Sequence, residues 1–146
     1  EHNTRAFTKD GFYRSGDLMR QHKSGNYIVE GRKKDLINRG GEKISAEEVE
    51  NLILGSPKIK NVACVAMPDP VMGEKMCAFV ILKENEKLTL DELNTMLLQH
   101  EIAKFKLPER LEVVDTFPLS TFGKVSKKDL VAIVTKKLQQ DDERGA

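Results

Sequence analysis

Three polar, glycine-containing stretches of this chain carry side chains that could take part in chemistry. In the first, residues 13–17, Asp17 follows Gly16, and a glycine before an aspartate allows a tight turn that presents the carboxylate. A carboxylate can accept two hydrogen bonds from neighbouring hydroxyls, such as those of a ribose. The alternative is an ordinary turn in which Asp17 is only a capping residue.

The second stretch, residues 31–43, combines a high density of positive charge with a Gly40–Gly41 pair. Its five cations are Arg32, Lys33, Lys34, Arg39 and Lys43. The forked guanidinium of an arginine matches phosphate oxygens, and the glycines permit a mobile backbone or the close approach of a ligand. The alternative is a solvated surface loop, which most charge runs are.

The third stretch, residues 118–125, places Lys124 directly after Gly123. It is not a phosphate-cradling loop of the Walker type, because no glycine lies five positions before Gly123 and Val125 replaces the hydroxyl residue that would hold magnesium. A lysine on such a loop can still bring a point charge to oxygens that become more negative in a transition state. The alternative is an ordinary turn.

The surrounding patterns predict the elements that would position these residues. Residues 12–30 indicate a β-hairpin with strands at 18–21 and 27–30, and residues 31–43 indicate a loop. After residue 44 the predicted order is helix, strand, strand, helix, strand, helix. The strands are expected at 62–66, 75–82 and 111–114. This order predicts an α+β fold: a small, mainly antiparallel sheet covered by helices.

Capping patterns and turn residues set the expected ends of these elements. Ser45 with Glu48, and Thr89 with Glu92, form capping-box patterns, and Ser126 is the expected cap of the last helix. The segment 67–70, which contains two prolines, is expected to stop the strand before it. The polar end, residues 139–146, is expected to fray.

Composition excludes several function classes. The 146 residues carry a net charge of only +1 and 5% aromatic residues, which argues against binding to nucleic acid or an anionic membrane. No apolar run approaches the roughly 18 residues of a membrane span, and no secretory signal follows Glu1. We therefore expect a cytoplasmic location. Cys64 and Cys77 lie in apolar runs and are expected to be buried, reduced thiols, and no Cys/His spacing indicates a metal site.

Taken together and in this order, the three stretches resemble motifs of the adenylate-forming superfamily of acyl-CoA synthetases, peptide-synthetase adenylation domains and luciferases. Residues 13–17 resemble its Tyr-Arg-Thr-Gly-Asp motif, with Ser15 in place of threonine. Residues 31–50 resemble its hinge motif, and residues 118–124 resemble its Pro-x-x-x-x-Gly-Lys motif. Within the superfamily, the chain is most similar to 2,3-dihydroxybenzoate–AMP ligases of siderophore synthesis. The residues that carry this likeness are 37–43, 46–50, 67–69, 73–74, 77 and 123–128.

The resemblance implies a role for each candidate residue. Asp17 would bind the ribose hydroxyls of ATP, and Arg32 would contact the nucleotide. Lys124 would be the catalytic lysine that bridges the carboxylate substrate and the α-phosphate. Asp35 would be the hinge about which a C-terminal lid rotates. The remaining cofactor-binding residues, which would lie near the pantetheine thiol in a second half-reaction, are Gly40, Gly41 and Lys43.

The resemblance also implies a domain organisation. Residues 1–34 would be the end of an N-terminal domain, with the hairpin as its remnant, and residues 35–146 would be the lid. The large N-terminal domain would hold the acid and most contacts to ATP and Mg²⁺. The partners would be that domain, a small carboxylic acid, and an aryl carrier protein or CoA. By itself the chain is expected neither to activate an acid nor to bind ATP tightly.

Two alternatives remain open. Some fatty-acyl and other CoA ligases share residues 38–43, so the chain could be the C-terminal domain of an acyl-CoA synthetase. It could instead be a non-catalytic module that docks a carrier protein through its basic stretch. Residues 1–30 discriminate: an exposed apolar sheet edge favours part of a larger enzyme, and a self-contained unit favours the module.

Overall fold

The computed structural model describes residues 2–145, with side chains from Thr4 onward. Glu1 and Ala146, the outer ends of the two predicted domains, lie outside the described residues. Two single-turn 3-10 helices cover Lys33–Asp35 and Lys104–Lys106. The other elements are α1 (His2–Ala6), β1 (Asp17–Gln21), β2 (Tyr27–Arg32), β3 (Leu36–Arg39), β4 (Glu42–Ser45), α2 (Ala46–Leu54), β5 (Ile59–Asp69), β6 (Gly73–Leu82), α3 (Leu90–Gln99), β7 (Arg110–Val113) and α4 (Lys127–Gly145).

A five-stranded sheet forms the centre of the fold and confirms the predicted α+β class. Its strands run in the order β4-β3-β6-β5, and β7 pairs with β6 on the same side as β3. All pairings are antiparallel except that of β6 with β7. The sheet is therefore mixed and mainly antiparallel, as predicted.

Both faces of this sheet are covered by helices because the two long strands are apolar on both faces. Successive side chains of a strand point to opposite faces, so a continuous apolar run supplies two cores. The core against α2 and α3 includes Val49, Ile53, Val62, Cys64, Met76, Ala78, Val80, Leu93 and Leu97. The core against α4 includes Ala63, Val65, Met67, Cys77, Phe79, Leu130 and Val134.

The predicted hairpin is confirmed as a separate two-stranded sheet of β1 and β2. Its register pairs Asp17 with Arg32 at the open end and Gln21 with Tyr27 at the turn. It contacts the main body through Ser45, whose hydroxyl donates to the carbonyl of Glu30 at 2.9 Å. Several of its apolar side chains are exposed, including Met19, Tyr27 and Val29.

The predicted loop at 31–43 is wrong for most of its length, because residues 36–45 form the β3–β4 hairpin. Gly40 and Gly41 have φ values of +58° and +94°, and together they make the two-residue turn. Positive φ at both positions is typical of the turn whose twist matches paired strands. The dense charge concealed a short strand pair, in which the side chains of Glu42 and Lys43 face solvent.

Two predicted ends are also wrong. β5 continues through Pro68 to Asp69, because its other edge is unpaired and a proline on an edge strand breaks no sheet hydrogen bond. Helix α4 continues to Gly145 instead of fraying from residue 139. Its last turns are held by Asp141, whose carboxylate accepts from Nη1 of Arg110 at 2.9 Å.

The predicted capping boxes have different outcomes. The Thr89–Glu92 box is complete. At Ser45 only half of the box forms, because the Glu48 carboxylate instead accepts from Nζ of Lys106 at 2.8 Å. No helix within residues 2–145 is both long enough and apolar enough to cross a membrane.

Candidate functional site

Lys124 lies on an ordered loop that closes on itself just before α4. Leu119 and Val125 form an isolated antiparallel bridge, and the amide of Ser120 donates to the carbonyl of Lys124 at 2.6 Å. Gly123 turns the chain with a φ of +75°, a conformation that other residues adopt at a cost. The loop is therefore held by its own backbone hydrogen bonds, although its outer side chains contact little.

The side chains at the tip of this loop, from residue 119 to residue 124, are exposed. The Lys124 ammonium is exposed and forms no ion pair with any side chain from Thr4 to Gly145. Phe122 at the tip is 91% exposed. A lysine presented in this way is accessible to an anion from outside the loop.

The base of the loop is anchored to α4 and to the core. The amide of Ser126 donates to the carbonyl of Pro118 at 2.8 Å, and the Ser126 hydroxyl accepts from the amide of Asp129 at 3.4 Å, as the predicted helix cap. Phe117 is buried in the core under α4, and Val125 packs against it. The helix and the loop therefore form one unit.

Asp17 and Arg32, the two residues predicted to contact a nucleotide, are brought together by the β1–β2 register. Nε of Arg32 lies 3.4 Å from Oδ1 of Asp17, and both side chains are partly exposed. The amide of Asp17 donates to the hydroxyl of Ser15, so the residue in the usual threonine position performs a local hydrogen bond that threonine could also make. The carboxylate keeps acceptor capacity for a ligand.

Asp35 lies in the short irregular segment that joins the hairpin to the main sheet. Its 3-10 turn, Lys33–Asp35, is the one part of residues 31–45 outside strands and the glycine turn. On its hairpin side the chain is pinned, because the amide of Lys33 donates to the carbonyl of Gly16 at 2.8 Å and Gly31 is buried under Ser45. A pivot here would involve few residues.

The Gly40–Gly41 turn is held at the end of the main sheet, against the β5–β6 turn. The amide of Gly40 donates to the carbonyl of Met72 at 2.8 Å. Lys43 follows on β4 as an exposed residue opposite Asn38. No hydrogen bond or ion pair of the described residues joins this turn, or the Asp17–Arg32 pair, to Lys124.

An ion pair that sequence patterns did not reveal supports the glycine turn. Nε and Nη2 of Arg39 donate to the two carboxylate oxygens of Glu109 at 2.9 and 2.8 Å. This forked contact raises the pKa of Arg39 above its usual value. It ties the strand that carries the turn to the segment before β7.

Asp69 orders the neighbouring β5–β6 turn. Its Oδ1 accepts from the amides of Val71 and Met72, and its Oδ2 lies 2.8 Å from Nζ of Lys75. The Lys75 hydrogen bond, followed by those amides, lowers the pKa of Asp69 to about 2. The position of this aspartate before a turn is a signal that sequence analysis could have used.

We expect Asp69→Asn to lower the free energy of unfolding at neutral pH. A folded-state pKa of about 2, below the ordinary 3.8, stabilises the fold above pH 3.8, and the contribution is lost as the pH falls toward 2. The difference in the free energy of unfolding between the unchanged protein and Asp69→Asn, measured with urea, should therefore shrink as the pH falls from 3.8 toward 2. The exposed Asp115→Asn serves as control, and a difference that stays constant down to pH 2 would contradict the assignment.

The two turn glycines should differ in their tolerance of side chains. Gly41→Ala places its Cβ in open space, so its expected cost of about 1–2 kcal/mol is that of a left-handed backbone. Gly40→Asn should cost less, because asparagine accepts a φ near +58° and the nearby Met72 side chain can move. Urea unfolding measures both, and a larger loss for Gly40→Asn would show that Met72 cannot yield.

Both cysteines are buried and unpaired with each other, as predicted. Burial raises the pKa of the Cys77 thiol to about 12 and also raises that of Cys64. Both thiols are therefore protonated and inert at neutral pH. Within the described residues, no cluster of three His, Cys, Asp or Glu side chains is arranged to hold a metal ion.

Comparisons with known proteins show which proteins this chain resembles. The family model described as AMP-binding enzyme C-terminal domain matches residues 48–124. The chain is 55% identical over 134 residues to a salicylyl-CoA synthase / salicylate adenylyltransferase of a Streptomyces species, covering 92% of this chain and 24% of that protein. It is 48% identical over 138 residues to the 2,3-dihydroxybenzoate-AMP ligase of Bacillus subtilis, covering 94% and 25%.

Solved structures show the same fold. The crystal structure of ATP-bound MatB from Rhodopseudomonas palustris superposes with a TM-score of 0.81 at 30% identity, covering 92% of this chain and 27% of that one. The apo structure of MbtA from Mycobacterium smegmatis gives 0.66 at 39% identity, covering 90% and 25%. The chain thus spans about a quarter of the length of the proteins it matches.

Proposed function

Because the chain belongs to the AMP-binding enzyme C-terminal domain family, we propose that it is the lid of an ATP-dependent ligase that activates an aryl carboxylic acid. The acid would be 2,3-dihydroxybenzoate or a close relative such as salicylate, the acids that the names of two similar proteins contain. The pathway would be the siderophore synthesis that the sequence motifs suggest. The product would be passed to a phosphopantetheine thiol. The cytoplasmic location predicted from the sequence is part of this proposal.

The exposed Lys124 is the observation that carries the proposal. Its ammonium lies outside the core on a loop with a hydrogen-bonded backbone, and no carboxylate of the described residues pairs with it. In the first half-reaction a carboxylate oxygen attacks the α-phosphorus of ATP, and pyrophosphate leaves. Negative charge is shared between both groups in the transition state, and an ammonium between them would stabilise it.

In the second half-reaction a thiol attacks the acyl carbon and AMP leaves. We assign Gly40, Gly41 and Lys43 to this step, because the narrow glycine turn allows an extended thiol arm to approach the backbone closely. The turn and the Lys124 loop share no hydrogen bond or ion pair in the described residues. Two such surfaces can serve one reaction centre in turn if the lid rotates, and Asp35 lies in the short segment where a rotation would involve few residues.

The exposed apolar side chains of the hairpin support an enzyme part over a self-contained docking module. An isolated two-stranded hairpin is marginal in water, and Met19, Tyr27 and Val29 would be buried if further strands or a second domain covered it. We therefore propose that residues 1–34 complete an N-terminal domain and that residues 35–146 form the lid. That N-terminal domain would supply the acid pocket and most contacts to ATP and Mg²⁺.

Carboxylate-dependent exchange between ATP and labelled pyrophosphate, measured on the full-length ligase, tests the proposal. We expect exchange with 2,3-dihydroxybenzoate or salicylate to exceed that with malonate or a long-chain fatty acid. Transfer is then compared between a phosphopantetheinylated aryl carrier protein and CoA. Exchange only with fatty acids, followed by transfer to CoA, would favour the acyl-CoA synthetase alternative. Absence of exchange with every acid would refute a ligase.

A further inference from the structure

One carboxylate, that of Glu50 on α2, joins the two helices that cover opposite faces of the sheet. Its Oε1 lies 2.7 Å from Nζ of Lys127, the first residue of α4, and also accepts from the amide of Cys64 at 2.7 Å. Cys64 lies in β5, the edge strand. The contact therefore crosses the open edge of the sheet and fastens α4 to α2 there.

Helix stability does not explain a lysine at this position. The first turn of a helix carries a partial positive charge, which disfavours a cation, and Lys127 is followed by a second lysine, Lys128. The Lys127 side chain is 29% exposed and that of Glu50 is 16% exposed, so the pair is partly shielded from water. The attraction between the Lys127 ammonium and the Glu50 carboxylate therefore offsets the repulsion between that ammonium and the positive end of the helix.

The place of this pair in the chain connects it to the catalytic loop. Lys127 follows Lys124 by three positions, and Leu130 is the first residue of α4 that is buried in the core. Within the described residues, the pair of Lys127 with Glu50 is the ion pair that holds the segment between Lys124 and Leu130. The same region includes a small cavity of about 90 Å³ that is also lined by Lys34 and Asp35 of the proposed hinge segment.

We propose that Lys127, through its ion pair with Glu50, is a positioning residue that fixes the first turn of α4 and thereby the direction in which the preceding loop presents the Lys124 ammonium. This inference rests on the proposed function. It assigns Lys127 and Glu50 to the adenylation step alone, because Lys124 acts only there. A misplacement of a reacting group by about 1 Å can cost up to about 100-fold in rate.

The test uses Glu50→Gln and Lys127→Met in the full-length ligase, with each half-reaction measured separately. Glu50→Gln keeps an oxygen that can accept from the Cys64 amide and removes only the charge. We expect kcat for adenylation to fall about 10- to 100-fold in both variants. Thioester formation from supplied acyl-adenylate should stay within about twofold, and Lys127→Arg should restore adenylation.

Lys137→Met is the matched control, since Lys137 is another lysine of α4 that forms an ion pair. Its partner is Glu112 on β7, away from the Lys124 loop. It should leave both half-reactions unchanged. In a Lys124→Ala background, Glu50→Gln should cause no further loss of adenylation, because the residue it positions is gone. An equal loss of both half-reactions, or an additive loss in that background, would overturn the positioning role.

The outcomes separate this inference from the proposed function. If Lys124→Ala abolishes adenylation while Glu50→Gln and Lys127→Met leave it unchanged, only the positioning role fails. If Lys124→Ala itself leaves adenylation unchanged, the proposed function fails. If Lys127→Met does not fold, Glu50→Gln tests the same ion pair, because its side-chain oxygen still accepts from the Cys64 amide.

Discussion

Replacing Lys124 with alanine in the full-length ligase is expected to lower the rate of acyl-adenylate formation by about 10²–10³-fold, the usual effect of removing one group that stabilises transition-state charge. Because the ammonium is exposed and supports no contact of the fold, the free energy of unfolding should not change. Pre-steady-state formation of adenylate measures the first quantity, and urea unfolding measures the second.

Thioester formation from supplied acyl-adenylate should be retained by Lys124→Ala, since that step is assigned to the Gly40–Gly41 turn. Lys128→Ala is the matched control, because Lys128 is also exposed and lies near the same loop. Lys124→Arg should recover only part of the rate, since a planar guanidinium does not place its charge where an ammonium does. An equal loss of both half-reactions would contradict a lid that uses two surfaces in turn.

Asp17→Ala should raise the KM for ATP by about 10- to 100-fold, because hydrogen bonds to a charged group contribute about 1.5–3 kcal/mol. The rise in KM should depend on the hydroxyl groups of the ribose. With 2′-deoxy-ATP the unchanged ligase should bind more weakly, whereas the variant should show little further loss, because its acceptor is already missing. Steady-state pyrophosphate exchange with both nucleotides measures this coupling.

The control for Asp17→Ala is Glu30→Ala, since Glu30 belongs to the same hairpin and also pairs with an arginine, Arg20, at 2.6 Å. Glu30→Ala should leave the KM for both nucleotides unchanged. Equal sensitivity of the Asp17 variant and the unchanged ligase to 2′-deoxy-ATP would show that Asp17 does not contact the ribose. Its pairing with Arg32 would then be its role in the hairpin.

Much of the fold followed from short-range patterns. The Thr89 cap, the apolar runs of β5 and β6, and the stripe of Leu130, Val134 and Leu138 each depend on neighbouring residues and on the repeat of one element. The candidate residues were found in the same way, because a glycine beside a lysine or an aspartate marks a turn that presents its neighbour. Their proposed roles rest on the resemblance of the three motifs, in this order along the chain, to those of the adenylate-forming superfamily.

The supports of these residues depend on contacts between distant parts of the chain. Arg39 and Glu109 are 70 positions apart, and Lys127 reaches Glu50 only because both helices meet at the edge of β5. The β3–β4 hairpin likewise joins the main sheet through a pairing of Arg39 with the distant Gly73 of β6, which its charged sequence does not indicate. Local sequence determines most of the helices and strands of this chain and the side chains that turns offer to solvent. Tertiary packing determines which charged side chains pair with each other. A charged residue can pair with any opposite charge, so its partner is decided only when the fold brings the two within a few ångströms.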